Sequence, residues 1–191
     1  MIRLVTERLS LEPVNARNAV TLWRVMQHGH LRQFQDVPRL SREDFVRRVS
    51  TRPQHFDGRT MGRYEWLVQV RKDDIPIGWV SLRVGEAGCG SAELGYSILL
   101  EARGKGYATE AVRAVVNTAF GTELNAVDAC CVPANTPSKR LLETIGFAQL
   151  RTQSNGAVVR GKPVDICLYR MTRADWQFQD AYAMAHRRIG S

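Results

Sequence analysis

The 191-residue sequence predicts an α/β domain of the α+β kind, in which a mixed, mostly antiparallel central sheet is flanked by helices. Three observations predict it. Strand-like runs, alternating or continuously apolar, recur at Tyr64 to Val70, Ile77 to Arg83 and Ala92 to Leu100. Segments with the i, i+3, i+4, i+7 apolar spacing of amphipathic helices lie before and after them. The connection RKDDIP, residues 71–76, is a turn by composition, so the strands it joins form a hairpin and run antiparallel.

The elements follow in order. Arg8 to Pro13 reads as a first strand; Ala19, Leu22, Trp23 and Met26 then give a helical stripe, with Asn15 as its expected cap. Ser41 caps a second short helix whose Glu43 and Asp44 complement the positive end of its dipole. Residues 51–63, with Pro53, Gly58 and Gly62, read as a loop. The hairpin is followed by a glycine-rich loop, Gly85 to Ser91, and then by AELGYSILL, continuous enough in apolar residues to be a buried central strand. Ala111, Val112, Val115, Val116, Ala119 and Phe120 make a stripe wide enough to lie on a sheet, ended by Gly121. A strand at Ala126 to Val132 leads to a helix with Thr136 as expected cap, Pro137 in its first turn, Leu141, Leu142 and Ile145 on one face, and Gly146 closing it. Phe147 to Arg151 and Val164 to Arg170 are expected to pair across a loop holding Asn155, Gly156 and Gly161. A last helix from about Arg173 carries Trp176, Phe178, Tyr182 and Met184. No repeat, linker or low-complexity segment divides the chain, so residues 1–191 are expected to form one domain.

Composition narrows the function classes. Apolar residues make up 44% and charged residues 24%, the balance of a globular domain, and no apolar run is long enough to cross a bilayer. MIRLVTERL carries charges where a signal peptide needs an apolar stretch, so a cytoplasmic location is expected. Cys89, Cys130, Cys131 and Cys167 have neither CxxC nor metal-ligand spacing; no metal is expected, and the thiols are expected reduced and buried. His28, His30, His55 and His186 have no ligand spacing. The net charge of +8 favours an anionic partner, but its arginines are scattered and no RNA-recognition motif is present, which argues against nucleic acid.

The chemistry-bearing stretch is ARGKGYATEAV, residues 102–112, where a strand ends, two glycines follow and a helix begins. That order leaves unpaired backbone N–H groups and the positive end of a helix dipole at one sheet edge, an anion site. Gly104 and Gly106 let a phosphate approach the backbone, and Arg103 and Lys105 add positive charge. A P-loop needs GxxxxGK followed by Ser or Thr, which is absent. A dinucleotide fingerprint needs Gly or Ala where Thr109 stands and a series of parallel βα units. A third pattern, R/Q-x-x-G-x-G/A, is met by Arg103, Gly106 and Ala108.

That third pattern resembles the pyrophosphate-binding signature of the GNAT acyl-CoA N-acetyltransferases. TERLSLEPV, IGWVSL, ELGYSILLEARGKGYATEA, NTPSKRLLETIGF and GKPVDICLYRMTRADW, in order from Thr6 to Trp176, are similar to the branch typified by the ribosomal-protein N-terminal acetyltransferases of the RimJ/RimL kind. The resemblance implies the GNAT fold, with its sheet splayed at the middle strands, and acetyl-CoA as cosubstrate. The amides of Gly104, Lys105, Gly106, Tyr107, Ala108 and Thr109, with Arg103, would hold the pyrophosphate. The main chain of Ile98 and Leu100 would pair with the pantetheine amides as if the cosubstrate were an added strand; relatives usually carry proline where Leu100 stands. The acceptor would be a primary amine, on a protein N-terminus or a small molecule, and paired copies of the chain are common among relatives.

Asn135 and Ser138 match the family's Asn-x-x-Ser: Asn135 would bond the pantetheine arm and Ser138 would protonate the departing thiolate, unless both only cap the helix. Glu93 matches the offset of the catalytic glutamate in histone-acetylating relatives, and partial burial would fit it to act as general base; the alternative is a carboxylate in solvent or paired with an arginine. The ribosomal enzymes' glutamate of the last hairpin is replaced by Ala157. Amine attack then relies on Glu93, or on water and an already neutral amine. A non-catalytic acyl-CoA-binding module is the competing expectation. Cys130 and Cys131 suit a covalent scheme less than a strand core, and Trp66, Trp79 and Tyr96 fit the core at least as well as a pocket.

Overall fold

The computed structural model describes residues 1–35, 37, 39–85, 90–179 and 181. Residues 86–89 of the glycine-rich loop, Cys89 among them, and Tyr182, Met184 and His186 lie outside the described residues. The strands are β1 (Leu4–Val5), β2 (Leu9–Pro13), β3 (Gly62–Val70), β4 (Ile75–Val84), β5 (Ser91–Ile98), β6 (Ala126–Cys131), β7 (Ala148–Val159) and β8 (Lys162–Thr172). The helices are α1 (Ala19–Met26), α2 (Arg42–Ser50), α3 (Tyr107–Phe120) and α4 (Thr136–Ile145), with α5 over residues 173–179. Short 3-10 turns occupy Gly29–Arg32 and Leu100–Ala102.

One eight-stranded sheet runs β1-β2-β3-β4-β5-β6-β8-β7. Every described pairing is antiparallel except β5 with β6, because α3 carries the chain back across the sheet between them. The expected mixed, mostly antiparallel sheet is therefore present. Its one parallel pair is incomplete. The β5–β6 ladder starts at Ser91↔Ala126 and stops at Leu94↔Ala129, although β5 continues to Ile98 and β6 to Cys131. The two central strands diverge there, which is the splay.

Alternation along the strands sends side chains to two cores. On one face Trp66, Val80, Leu82, Ala92, Leu94, Val127, Cys131 and Tyr169 pack with the α3 stripe and with Leu141, Leu142 and Ile145 of α4. Each fully buried valine or leucine of that set contributes about 1.5–3 kcal/mol. On the other face α1 and α2 cover Leu67 and Trp79 with Leu22, Val25, Phe45 and Val49. That cover stops before β6 and β8. Arg83, Glu93, Asp128 and Arg170 lie side by side there as register partners across β4, β5, β6 and β8. Arg173 ties α5 to the end of α3 and the loop after it by donating to the carbonyls of Phe120 (2.8 Å) and Leu124 (2.6 Å), placing a cation at the negative end of α3.

Several local expectations need correction. Asn15 does not cap α1: its Oδ1 accepts from Arg17 N, and Asn18 is the residue at the cap. Thr136 is already helical, and Asn135 is the cap of α4, its Oδ1 accepting from Ser138 N at 3.3 Å. The closing hairpin is longer than the apolar pattern implied. Asn155 and Gly156 lie within β7, where a register irregularity between Gln153 and Ala157 absorbs the polar residues that read as loop. The 51–63 loop ends two residues early, since β3 begins at Gly62. Cys130 is exposed, while Cys131 and Cys167 are buried, all as free thiols. Ser41 caps α2 as expected, accepting from Asp44 N at 3.0 Å, and Gly146 closes α4 in the left-handed region at φ 103°, which glycine adopts without strain.

Candidate functional site

Gly104 and Gly106 both have positive φ, 75° and 78°, and they turn the chain from the Leu100–Ala102 helical turn into α3. Gly106 is the N-cap of α3 and, lacking a side chain, caps nothing. Arg103 N donates to Leu100 O, and Glu110 N closes the first helical bond to Gly106 O. Between them, the amides of Gly104, Lys105, Gly106, Tyr107, Ala108 and Thr109 have no acceptor among the described residues. Six orphaned donors at the positive end of a fourteen-residue helix fit an anion with several oxygens, such as a diphosphate. The turn is exposed from Arg103 to Gly106.

The strand edge beside this turn has a definite polarity. Leu99 N donates to Ile77 O of β4, so backbone alternation directs the groups of Ile98 and Leu100 toward the gap left by β6. They are not bare. Arg103 Nε donates to Ile98 O at 3.1 Å, and Leu100 N donates to His30 Nε2 at 3.1 Å. A pantetheine arm laid along this edge would replace one guanidinium and one imidazole that hold its place. His30 was assigned no role from sequence; 70 positions separate it from Leu100, and no local pattern signals the contact.

His30 must be neutral to accept from Leu100. Burial first, then the charge of Arg103 and the neighbouring His28, lower its pKa from the ordinary 6.5, with Glu101 opposing. Because the folded pKa is depressed, the contribution of the bond is fully present above about pH 6.5 and is lost as pH falls through the lower folded value. In an NMR titration the Leu100 amide is expected to move together with the His30 ring signals below that pH, and to lose the dependence in His30→Ala. A Leu100 amide indifferent to pH in the unmodified protein would dismiss the contact.

Across the gap, α4 presents Asn135 and Ser138. Asn135 caps the helix through its Oδ1, while its Nδ2 has no acceptor among the described residues. Ser138 Oγ lies 2.7 Å from the Tyr96 hydroxyl, and Tyr96 also approaches Ser138 O at 3.4 Å. Burial pushes the Tyr96 phenol well above its ordinary range, so it stays protonated at neutral pH. The Cys131 thiol beside them is pushed up to about 11, by burial first and then by Cys167. At pH 7 only about one molecule in 10⁴ would carry a thiolate there, which removes Cys131 as a nucleophile.

Glu93 faces away from α3, two residues before the strands part. The expected partial burial is absent: it is exposed and ion-paired with Arg83, whose Nε donates to Oε2 at 3.1 Å. Trp66 and Trp79 are core residues. In the closing hairpin Ala157 pairs with Val164. Arg8, which sequence reading passed over, reaches the glycine turn: its Nη1 donates to Lys105 O at 2.8 Å. No group of His, Cys, Asp or Glu among the described residues could hold a metal ion, and none of the described helices is long and apolar enough to cross a membrane.

A sheet parted at its one parallel pair, with an amide-lined turn at the mouth of the following helix, defines an acyltransferase-type α/β domain. The chain belongs to the acetyltransferase (GNAT) domain family, whose model matches residues 8–148. It is 26% identical over 183 residues to the uncharacterized N-acetyltransferase p20 of Bacillus licheniformis, covering 92% of this chain and 99% of that one. It is 36% identical over 87 residues to YdaF of Bacillus subtilis (strain 168), named as a candidate ribosomal N-acetyltransferase; that match spans 45% of this chain and 48% of the relative. Among solved structures, RimL, a ribosomal L7/L12 alpha-N-protein acetyltransferase in complex with coenzyme A, superposes with a TM-score of 0.77 at 17% identity, covering 88% of this chain and 96% of that one. The ribosomal-protein-S5-alanine acetyltransferase from Vibrio fischeri gives 0.78 at 18% identity, covering 92% and 99%.

Proposed function

We propose that the protein transfers an acetyl group from acetyl-CoA to a primary amine by direct attack while both are bound. The observation that carries this reading is the run of six acceptor-free amides, Gly104 to Thr109, at the mouth of α3 and beside the parted strands. The relatives' names favour a protein N-terminus as acceptor over a small molecule. An α-amine, with a pKa near 8, is also easier to use at neutral pH than a lysine side chain near 10.4.

The thioester supplies an electrophilic carbonyl and a thiol leaving group. The amides of residues 104–109 fix the diphosphate, Arg103 and Lys105 add charge, and the Ile98–Leu100 edge with Asn135 Nδ2 lines up the arm. Ser138, whose Oγ lies 2.7 Å from the Tyr96 hydroxyl, supplies a proton to the departing sulfur. Glu93, exposed on the face opposite α3 and close to where β5 and β6 part, accepts the amine proton through a water. Positioning supplies the remainder, as it does for well-oriented reactants. Glu93→Gln is expected to lower turnover most at low pH, with the deficit closing as pH approaches the amine's own pKa near 8, and to leave acetyl-CoA affinity unchanged. A deficit equal at every pH would remove Glu93 as base.

A second reading, an acyl-CoA-binding module without turnover, is favoured by Ala157 in the hairpin. Thiol release measured across N-terminal peptides of ribosomal proteins, polyamines, amino acids and aminoglycosides separates the two. Release with any of these supports transfer; binding of acetyl-CoA with no release across the panel supports the module.

A further inference from the structure

Resting on the acyl-CoA reading of the glycine turn, we propose that Arg8 is a positioning residue of the diphosphate site: it grips the Lys105 carbonyl from behind and thereby aims the Gly106 N–H at the ligand. Arg8 stands just before β2, far from α3 in sequence, yet three of its groups converge on the first turn of that helix. Its Nη1 donates to Lys105 O at 2.8 Å, its Nε donates to Glu110 Oε2 at 2.7 Å, and its own amide donates to Glu110 Oε1 at 2.9 Å. Thr6 Oγ1 donates to the same Oε1 at 2.5 Å. Burial works against a charge on Glu110, but the bonds from Thr6 and Arg8 outweigh it and hold the carboxyl below its ordinary range.

A trans peptide fixes its C=O and N–H on opposite sides. With the Lys105 oxygen turned toward Arg8, the Gly106 hydrogen of the same peptide is turned away from the protein, where it has no acceptor. The guanidinium also lies 4.8 Å from the centre of the Tyr107 ring and would sit 3.3 Å from a Cβ at Gly106, so it forms the back wall of the turn. Glu110 largely cancels its charge. What Arg8 contributes is orientation: a planar group that bridges a carboxylate and a carbonyl at once, which a lysine ammonium cannot reproduce with the same geometry.

The test compares donors with and without the diphosphate. Arg8→Ala and Arg8→Lys are each expected to weaken acetyl-CoA binding by calorimetry about tenfold, a loss of about 1.4 kcal/mol. Their rates with acetyl-pantetheine, which lacks the diphosphate, are expected to match the unmodified protein. On adding inorganic pyrophosphate, the Gly106 amide resonance is expected to shift in the unmodified protein and to need about tenfold more pyrophosphate in Arg8→Ala, a readout that survives some loss of stability. Unchanged acetyl-CoA affinity in Arg8→Ala, full rescue by Arg8→Lys, or an equal loss with acetyl-pantetheine each overturns the proposal while leaving the acyl-CoA reading intact. If the unmodified protein binds no acetyl-CoA, that reading fails, and this one with it.

Discussion

Gly106→Glu is expected to abolish acetyl-CoA binding, with affinity falling by more than about 100-fold in calorimetry. Two terms act together. At φ 78° a side chain costs about 1–2 kcal/mol in backbone strain. The new carboxylate would also stand in the ring of amides that is otherwise open to an anion. At about 5 Å and an effective dielectric of 20, each like charge costs about 3 kcal/mol. The electrostatic term alone exceeds the 2.7 kcal/mol or so that a 100-fold change requires, while the strain lowers the stability of the fold. Gly106→Ala separates the terms, since it carries the strain without the charge; it should lower the melting temperature by a few degrees and weaken binding far less than the glutamate does. Near-normal affinity in the glutamate variant would show that no anion sits on these amides.

Ser138→Ala is expected to lower kcat about 10- to 100-fold while acetyl-CoA affinity stays within about twofold. General acid catalysis typically contributes about 10²–10⁴-fold. A thiol with a pKa near 8.5 is a fair leaving group without a proton, so the effect belongs at the low end. The substitution also strands the Tyr96 hydroxyl with only the distant Ser138 carbonyl at 3.4 Å, a cost to stability of about 1–2 kcal/mol. Tyr96→Phe should reproduce part of the kcat loss, and the double variant should lose little more than Ser138→Ala alone, because the hydroxyls act in series. Additive losses would mean that the two are independent. An unchanged kcat in Ser138→Ala leaves Ser138 as a residue of the helix turn only.

The parts of this arrangement visible in the sequence are the local ones. Gly104 and Gly106 between a strand and a helical stripe announced an exposed amide turn because backbone orphans follow from helix geometry alone. The Ser41 cap, the α3 stripe and the Gly146 stop were legible for the same reason. Thr136 and Asn15 were misassigned as caps because neighbouring short polar residues compete for one position, and only the actual φ and ψ choose between them. Asn155 and Gly156 looked like a loop, yet pairing with β8 overrides their weak strand preference. The contacts of Arg8 with Glu110 and of His30 with Leu100 span 102 and 70 positions. Nothing in a window of a dozen residues encodes them; they exist because the fold packs the start of β2 against α3 and the Gly29–Arg32 turn against the chain just after β5.

The short β5–β6 ladder has a mechanical side. Strands β1 to β5 form one plate and β6, β8 and β7 another, and the seam between them is four residues long, from Ser91 to Leu94. Whatever lodges in the opening beyond the seam acts as a rivet through both plates. Its affinity then adds directly to the free energy that keeps the plates together, and the folded protein resists prying apart in proportion to how well that opening is filled.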